Sequence, residues 1–132
     1  MSRHGNSATV SIASGAALTA ALNLDMLSGV SQDDNVVSQK LGMRLGGIIM
    51  PSAWTAASLT FQVSADGTNF FDLHDKYDSE VAVTVTANNS YLLDLADWIT
   101  FPYLKIRSGT SAAPVNQAAT RSLILLLRAT GV

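Results

Sequence analysis

The sequence predicts an all-β fold, an antiparallel two-sheet β-sandwich of about eight strands arranged like a jelly roll. Three observations lead there. Short segments alternate apolar and polar side chains with period two, as half-buried strands require. Turn residues punctuate these segments at the spacing of a sandwich. No long helical period and no internal repeat interrupts the series.

Residues 7–13 open the domain, with Val10 and Ile12 on one face and Thr9 and Ser11 on the other. Residues 1–6 are polar and read as a flexible N-terminal arm, leaving 7–132 as a single sandwich domain. After the turn signal Ser14-Gly15, Leu18, Ala20, Leu22 and Leu24 alternate with Thr19, Ala21, Asn23 and Asp25, which predicts a second strand. Ala and Leu also favour helix, but alternation over eight residues favours strand. Residues 26–40 are polar and read as a loop. Residues 43–50 form the next strand, in which Gly46-Gly47 marks a bulge or a close backbone approach, and Pro51 stops it.

The central feature is a hairpin over residues 58–75. Leu59, Phe61 and Val63 share a face, Asp66-Gly67 supplies the turn, and the chain returns through Phe70-Phe71-Asp72-Leu73-His74. Phe71 and Leu73 are expected to meet the apolar face, with Asp72 and His74 on the other side. A charged loop over 75–80 precedes a strand in which Val81, Val83 and Val85 alternate with Ala82, Thr84 and Thr86. Asn88-Asn89 turns the chain into a strand over 91–95, and residues 96–102 connect it onward. Residues 103–108 place Leu104 and Ile106 inside, and residues 109–120 are a loop containing Pro114. Residues 121–130 are apolar on both faces, so that strand is either central to a sheet or covered by a neighbouring subunit.

A chain of 132 residues makes one domain. Eight Lys+Arg against ten Asp+Glu leave a net charge of −2, with the basic residues scattered, so no nucleic-acid partner is expected. Charged residues are only 14% of the chain and apolar ones 48%, a balance with little to keep copies apart and suited to an oligomer. The absence of cysteine excludes disulfides and thiolate metal sites. Neither an export signal nor a membrane-length apolar stretch is legible, so a product cytosolic when made and no membrane partner are expected.

Chemistry is sparse. His4 and His74 lack a metal-binding spacing and read as surface imidazoles. Asp33-Asp34 lacks the other ligands of a calcium loop. Ser108-Gly109-Thr110-Ser111 has no strand–elbow–helix context for a nucleophile. Asp72, Asp75, Asp78 and Glu80 cluster around Lys76 as a solvated rim, where a glycosidase would need two opposed carboxyls. No catalytic residue, metal site or cofactor is therefore expected. The one plausible ligand feature is aromatic: Trp54, Trp98 and Tyr103, in or beside loops, could stack on a sugar ring, although a tryptophan at a sandwich edge more often plugs the core.

Two stretches carry a family resemblance. Met50-Pro51-Ser52-Ala53-Trp54-Thr55-Ala56-Ala57 leads into Leu59-Thr60-Phe61-Gln62-Val63-Ser64-Ala65-Asp66-Gly67. Later come Tyr103-Leu104-Lys105-Ile106-Arg107-Ser108-Gly109-Thr110 and Pro114-Val115-Asn116-Gln117-Ala118-Ala119. Together they resemble small structural proteins of tailed bacteriophages and related prophages, with residues 25–41 longer and more polar than usual there. The resemblance implies a virion component with a sandwich similar to the galactose-binding or discoidin-like jelly roll. It also implies a non-enzymatic role as a capsid decoration (cement) or head-attached protein. Such a protein would be a homo-oligomer docked on the major capsid protein or on other head or tail components. The alternative is a carbohydrate-binding adhesion module of a tail or head fibre, using Trp54, Trp98 or Tyr103 on a surface glycan.

Overall fold

The computed structural model describes residues 5–24, 43–93 and 101–129. The expectations placed on residues 1–4, on the loop 26–40 with Asp33-Asp34, and on the connection carrying Trp98 lie outside them. Eight strands follow in order: β1 (Gly5–Ile12), β2 (Leu22–Asn23), β3 (Met43–Ile49), β4 (Leu59–Ser64), β5 (Phe71–Asp72), β6 (Ser90–Leu92), β7 (Tyr103–Ser108) and β8 (Arg121–Ala129). They form two four-stranded antiparallel sheets, β1-β8-β3-β6 and β2-β7-β4-β5.

The topology has a simple origin. First pairs with last throughout: β1 with β8, β2 with β7, β3 with β6 and β4 with β5. One long antiparallel ribbon, wound up, produces that order, and the pairings β8–β3 and β7–β4 seal successive windings. This is the strand order of an eight-stranded jelly roll. The expected sandwich is therefore the observed one.

The inner faces supply the core. Leu123, Leu125 and Leu127 of β8 pack with Val10 and Ile12 of β1, Leu59, Phe61 and Val63 of β4, and Leu104 and Ile106 of β7, all buried. β3 adds Leu45 and Ile48, which are three apart and would point to opposite faces of a regular strand. Both face inward because the register shifts between Leu45 and Gly47, with Gly46 as the extra residue. The glycine pair thus marks the bulge the sequence suggests.

Three local expectations are corrected. The second strand is only Leu22–Asn23. Leu18 bridges Arg107 while Leu22 pairs with Leu104, so one residue is extra between them. Thr19 fills the break: its N–H donates to Ile106 O (2.9 Å) and its hydroxyl accepts from Ile106 N–H (3.0 Å). That slip buries Thr19 and exposes Ala20. Second, residues 81–86 form no ladder strand; only Val83 bridges Leu59. Their alternation still governs burial, with Val85 in the core and Ala82, Thr84 and Thr86 exposed. Third, Phe71 sits opposite Val63 as expected but is 68% exposed, because β5 is a two-residue edge strand with neighbours on one side only. Leu73 does pack against the core. At the other end of the chain, β1 begins at Gly5, so two residues assigned to the arm are paired with Arg128 and Leu127.

Polar groups close the ends of the sandwich. Gln117 is buried and all four of its side-chain hydrogen-bonding positions are used. Its Nε2 donates to Thr55 O (3.0 Å) and Ser108 Oγ (2.6 Å), and its Oε1 accepts from Thr55 N–H (2.8 Å) and Arg121 Nε (3.1 Å). Beside it, Gly109 holds φ +94° where a Cβ would lie 2.6 Å from both Ala113 O and Val115 N. Backbone atoms cannot swing aside as side chains can. Gly109→Ala is therefore expected to cost about 2–4 kcal/mol, combining left-handed strain with a backbone clash, measured as a fall in the urea midpoint at unchanged m-value.

Candidate functional site

Two of the clustered carboxylates, Asp72 and Glu80, are drawn onto one cation. β7 sends Leu104 and Ile106 inward, so Lys105 and Arg107 take the opposite face. Arg107 is nevertheless only 6% exposed. Its Nε donates to Thr60 Oγ1 (2.9 Å), its Nη1 to Asp72 Oδ1 (2.8 Å) and its Nη2 to Glu80 Oε2 (2.7 Å). Thr60, the cross-strand partner of Arg107, passes its own proton to Gly109 O (2.7 Å), and Glu80 accepts from Ser111 N–H. A guanidinium fork reaches three acceptors at once, which an ammonium cannot do in this geometry.

This arrangement ties loops together. The Arg107 hydrogen bond holds the Asp72 carboxyl below its ordinary value, whereas a general acid needs a carboxyl pushed upward. Asp75 caps a turn by accepting from Tyr77 N–H (2.8 Å) and Ser79 N–H (3.0 Å). His74 is exposed, with Nδ1 3.2 Å from Asp72 O. Ser108 is buried and accepts from Gln117, so its hydroxyl faces no solvent. Among the described residues no three His, Cys, Asp or Glu side chains are grouped to hold a metal ion.

The aromatic candidates do not converge. Trp54 packs against the core, and its Nε1 donates to Ala57 O (3.0 Å) just before β4. Tyr103 pairs with Ser64 at the far end of β4, its ring against Gly67, where a Cβ would lie 3.0 Å away. From Leu59 to Ser64 the strand runs about 17 Å, so the two rings cannot make one platform. Trp98 lies outside the described residues. Close by, the hairpin turn is held by Asp66, whose carboxylate accepts from Thr68 and Asn69 N–H. Those bonds, with Asn69 first, hold its pKa far below the usual carboxylate range.

A different feature stands out, on the outer face of β1-β8-β3-β6. Leu123, Leu125 and Leu127 turn inward, so Ile124 and Leu126 turn outward and remain 37% and 41% exposed. Register then builds two adjacent rows. One runs Leu92, Gly47, Leu126, Ser7; the other runs Ser90, Ile49, Ile124, Thr9. Neither row contains a charge. Leu92 is 93% exposed. Gly47 keeps the centre flat, since a Cβ there would lie 3.3 Å from Tyr91 O and 3.5 Å from Leu126 Cδ1. The sequence marked β8 as apolar on both faces; which neighbours complete the rows depends on register across four strands.

No family model matches the chain, and no curated protein matches it. The candidate site is accordingly defined by its own surface: a flat sheet face with an aliphatic centre and a hydroxyl margin at Ser7, Thr9 and Ser11. In soluble proteins a contiguous aliphatic patch of this kind marks a contact surface.

Two outcomes test the charged cluster and the Asp66 turn as structural. Arg107→Lys is expected to lower stability by about 1–3 kcal/mol, because one ammonium leaves buried acceptors unpaired, read from chemical denaturation. The folded-state pKa values of Asp66 and Asp72 lie below their ordinary 3.8. Their contribution is thus complete above that value and is lost as pH falls from about 4 towards each folded pKa. Unfolding midpoints measured from about pH 5 down to about pH 2 are expected to fall, and to fall less steeply in Asp66→Asn.

Proposed function

We propose that the chain is a structural component of a tailed-phage virion, a capsid decoration (cement) or head-attached protein acting through protein–protein contacts. The observation that carries this reading is the pair of adjacent uncharged rows on the outer face of β1-β8-β3-β6, bordered by the Arg44–Arg128 pair, with Leu92, Ile124 and Leu126 turned outward. A decoration protein needs a stiff body and a surface that gains by being covered. Aliphatic area of this kind contributes about 25 cal/mol per Å² when removed from water. The hydroxyl margin adds cross-strand or intersubunit hydrogen bonds at little desolvation cost. The resemblance of residues 50–67 and 103–119 to tailed-phage structural proteins supplies the setting, a particle assembled in a host cytoplasm.

In this reading the chain works as a homo-oligomer without a reactive centre. Arg107 with its two carboxylates fixes the loops at one side of the molecule, and the opposite sheet meets the partner. The partner is another virion protein, the major capsid protein or a head or tail component.

The test is particle association. Purified virions of the encoding phage or induced prophage are examined for the chain by mass spectrometry, and recombinant protein is sedimented with particles stripped of it. Wild type is expected to co-sediment. Leu92→Asp, at a site too exposed to disturb the fold, is expected to weaken association at least tenfold, since an unpaired carboxylate would be buried in the contact (roughly two or more kcal/mol). Absence of the chain from particles overturns the proposal.

A further inference from the structure

We propose that β1 is a self-pairing edge, through which two copies of the chain join antiparallel to make one continuous eight-stranded sheet. The four edges of the two sheets are unequal. β2 and β5 have two residues each and β6 has three, whereas β1 has eight. All eight pair with β8 without a register shift, so β1 has no bulge. Every second residue therefore turns its N–H and C=O away from β8. Among the described residues no backbone hydrogen bond leads from β1 to any other segment. Natural edges are blunted by charge, proline, bulges or brevity. The stretch Gly5-Asn6-Ser7-Ala8-Thr9-Val10-Ser11-Ile12 contains no charge and no proline, and it is long.

The occupant follows from self-complementarity. In an antiparallel pair, residues directly opposite share a face. A two-fold axis must then pass through a residue, since an axis between residues would set an inward side chain against an outward one. With Thr9 on the axis, Ser7 lies opposite Ser11 of the second copy, and Ala8 opposite Val10. Hydroxyls meet hydroxyls on the outer face, as Ser11 and Ser122 already do within the chain at 3.2 Å. On the inner face Ala8 falls opposite Val10 and Asn6 opposite Ile12, and no like charges oppose one another. Pairing satisfies the open edge of both copies at once and closes on itself, as an isologous contact does. The uncharged rows then run on across both copies, so this inference deepens the self-association in the proposed function and rests on that reading only for its biological setting.

The chain has no cysteine, which makes single-cysteine crosslinking clean. Opposed Cα atoms in an antiparallel pair are about 4.5–5.5 Å apart, within disulfide reach. Thr9→Cys is expected to give a disulfide-linked dimer under mild oxidation, and Ser122→Cys, one strand inward on the same face, is expected to give none. Wild type should have the mass of two copies by light scattering. Thr9→Lys and Thr9→Glu should each be monomeric, with circular dichroism unchanged, and should form a mixed dimer when combined. A monomeric wild type, crosslinking at position 122 in place of 9, or a Thr9→Lys protein that stays dimeric overturns the edge pairing. A monomer that still co-sediments with particles sinks this inference and leaves the proposed function standing; a dimer absent from particles does the reverse.

Discussion

A two-layer sandwich can hide only one face of each sheet, and β8 is apolar on both. That constraint organises the molecule. Leu123, Leu125 and Leu127 occupy the space between the layers, where they meet the inward side chains of β1, β3, β4 and β7. Having committed that face, the strand has nowhere inside to place Ile124 and Leu126. Its central position, between β1 and β3, secures its backbone but leaves the outward side chains uncovered. The protein thus gains an unusually regular core at the cost of a surface that water solvates poorly.

The second sheet solves a different problem. Its outer face carries Thr60, Lys105 and Arg107, and loops following β5 and β7 fold back over it. Arg107 is removed from water yet remains paired, with Asp72 and Glu80 supplying two negative charges and Thr60 a neutral acceptor. Gln117 serves the same purpose at the neighbouring end, bonded to Thr55, Ser108 and the Arg121 guanidinium. Among the described residues one sheet is therefore sealed by its own chain, and the other keeps Leu92, Ile124 and Leu126 exposed.

Much of this was legible in the sequence, for definable reasons. Period-two alternation marked β1, β4 and β7, because each has one face in the core, while β8 stood out as apolar on both faces. Gly46-Gly47 announced the bulge, and Asn88-Asn89 the turn in which Asn88 takes φ 66°. Alternation misled where burial and pairing part company. Val81, Val83 and Val85 obey the burial pattern without a ladder, and Leu18 to Leu24 is broken by Thr19 acting as a backbone surrogate. Phe71 looked like a core residue because composition cannot register that its strand is two residues long. In the sequence Asp72 and Glu80 group as a solvated rim around Lys76, but their cation is the buried Arg107, which nothing there singles out. The members of that cluster come from three separated segments, and an arginine at an outward strand position carries no local sign that loops will cover it.

The bulge in β3 sets a phase. On the Leu45 side the strand counts inward and outward one way, and beyond Gly47 it counts the other way, so that Leu45 and Ile48 can both reach the core. Deleting Gly46 would remove the extra residue and leave Leu45 and Ile48 two apart, still on the same inward face, whereas a residue gained or lost elsewhere in the strand would turn over every side chain beyond it. Outside the bulge, segment length in β3 is for this reason under tighter constraint than residue identity.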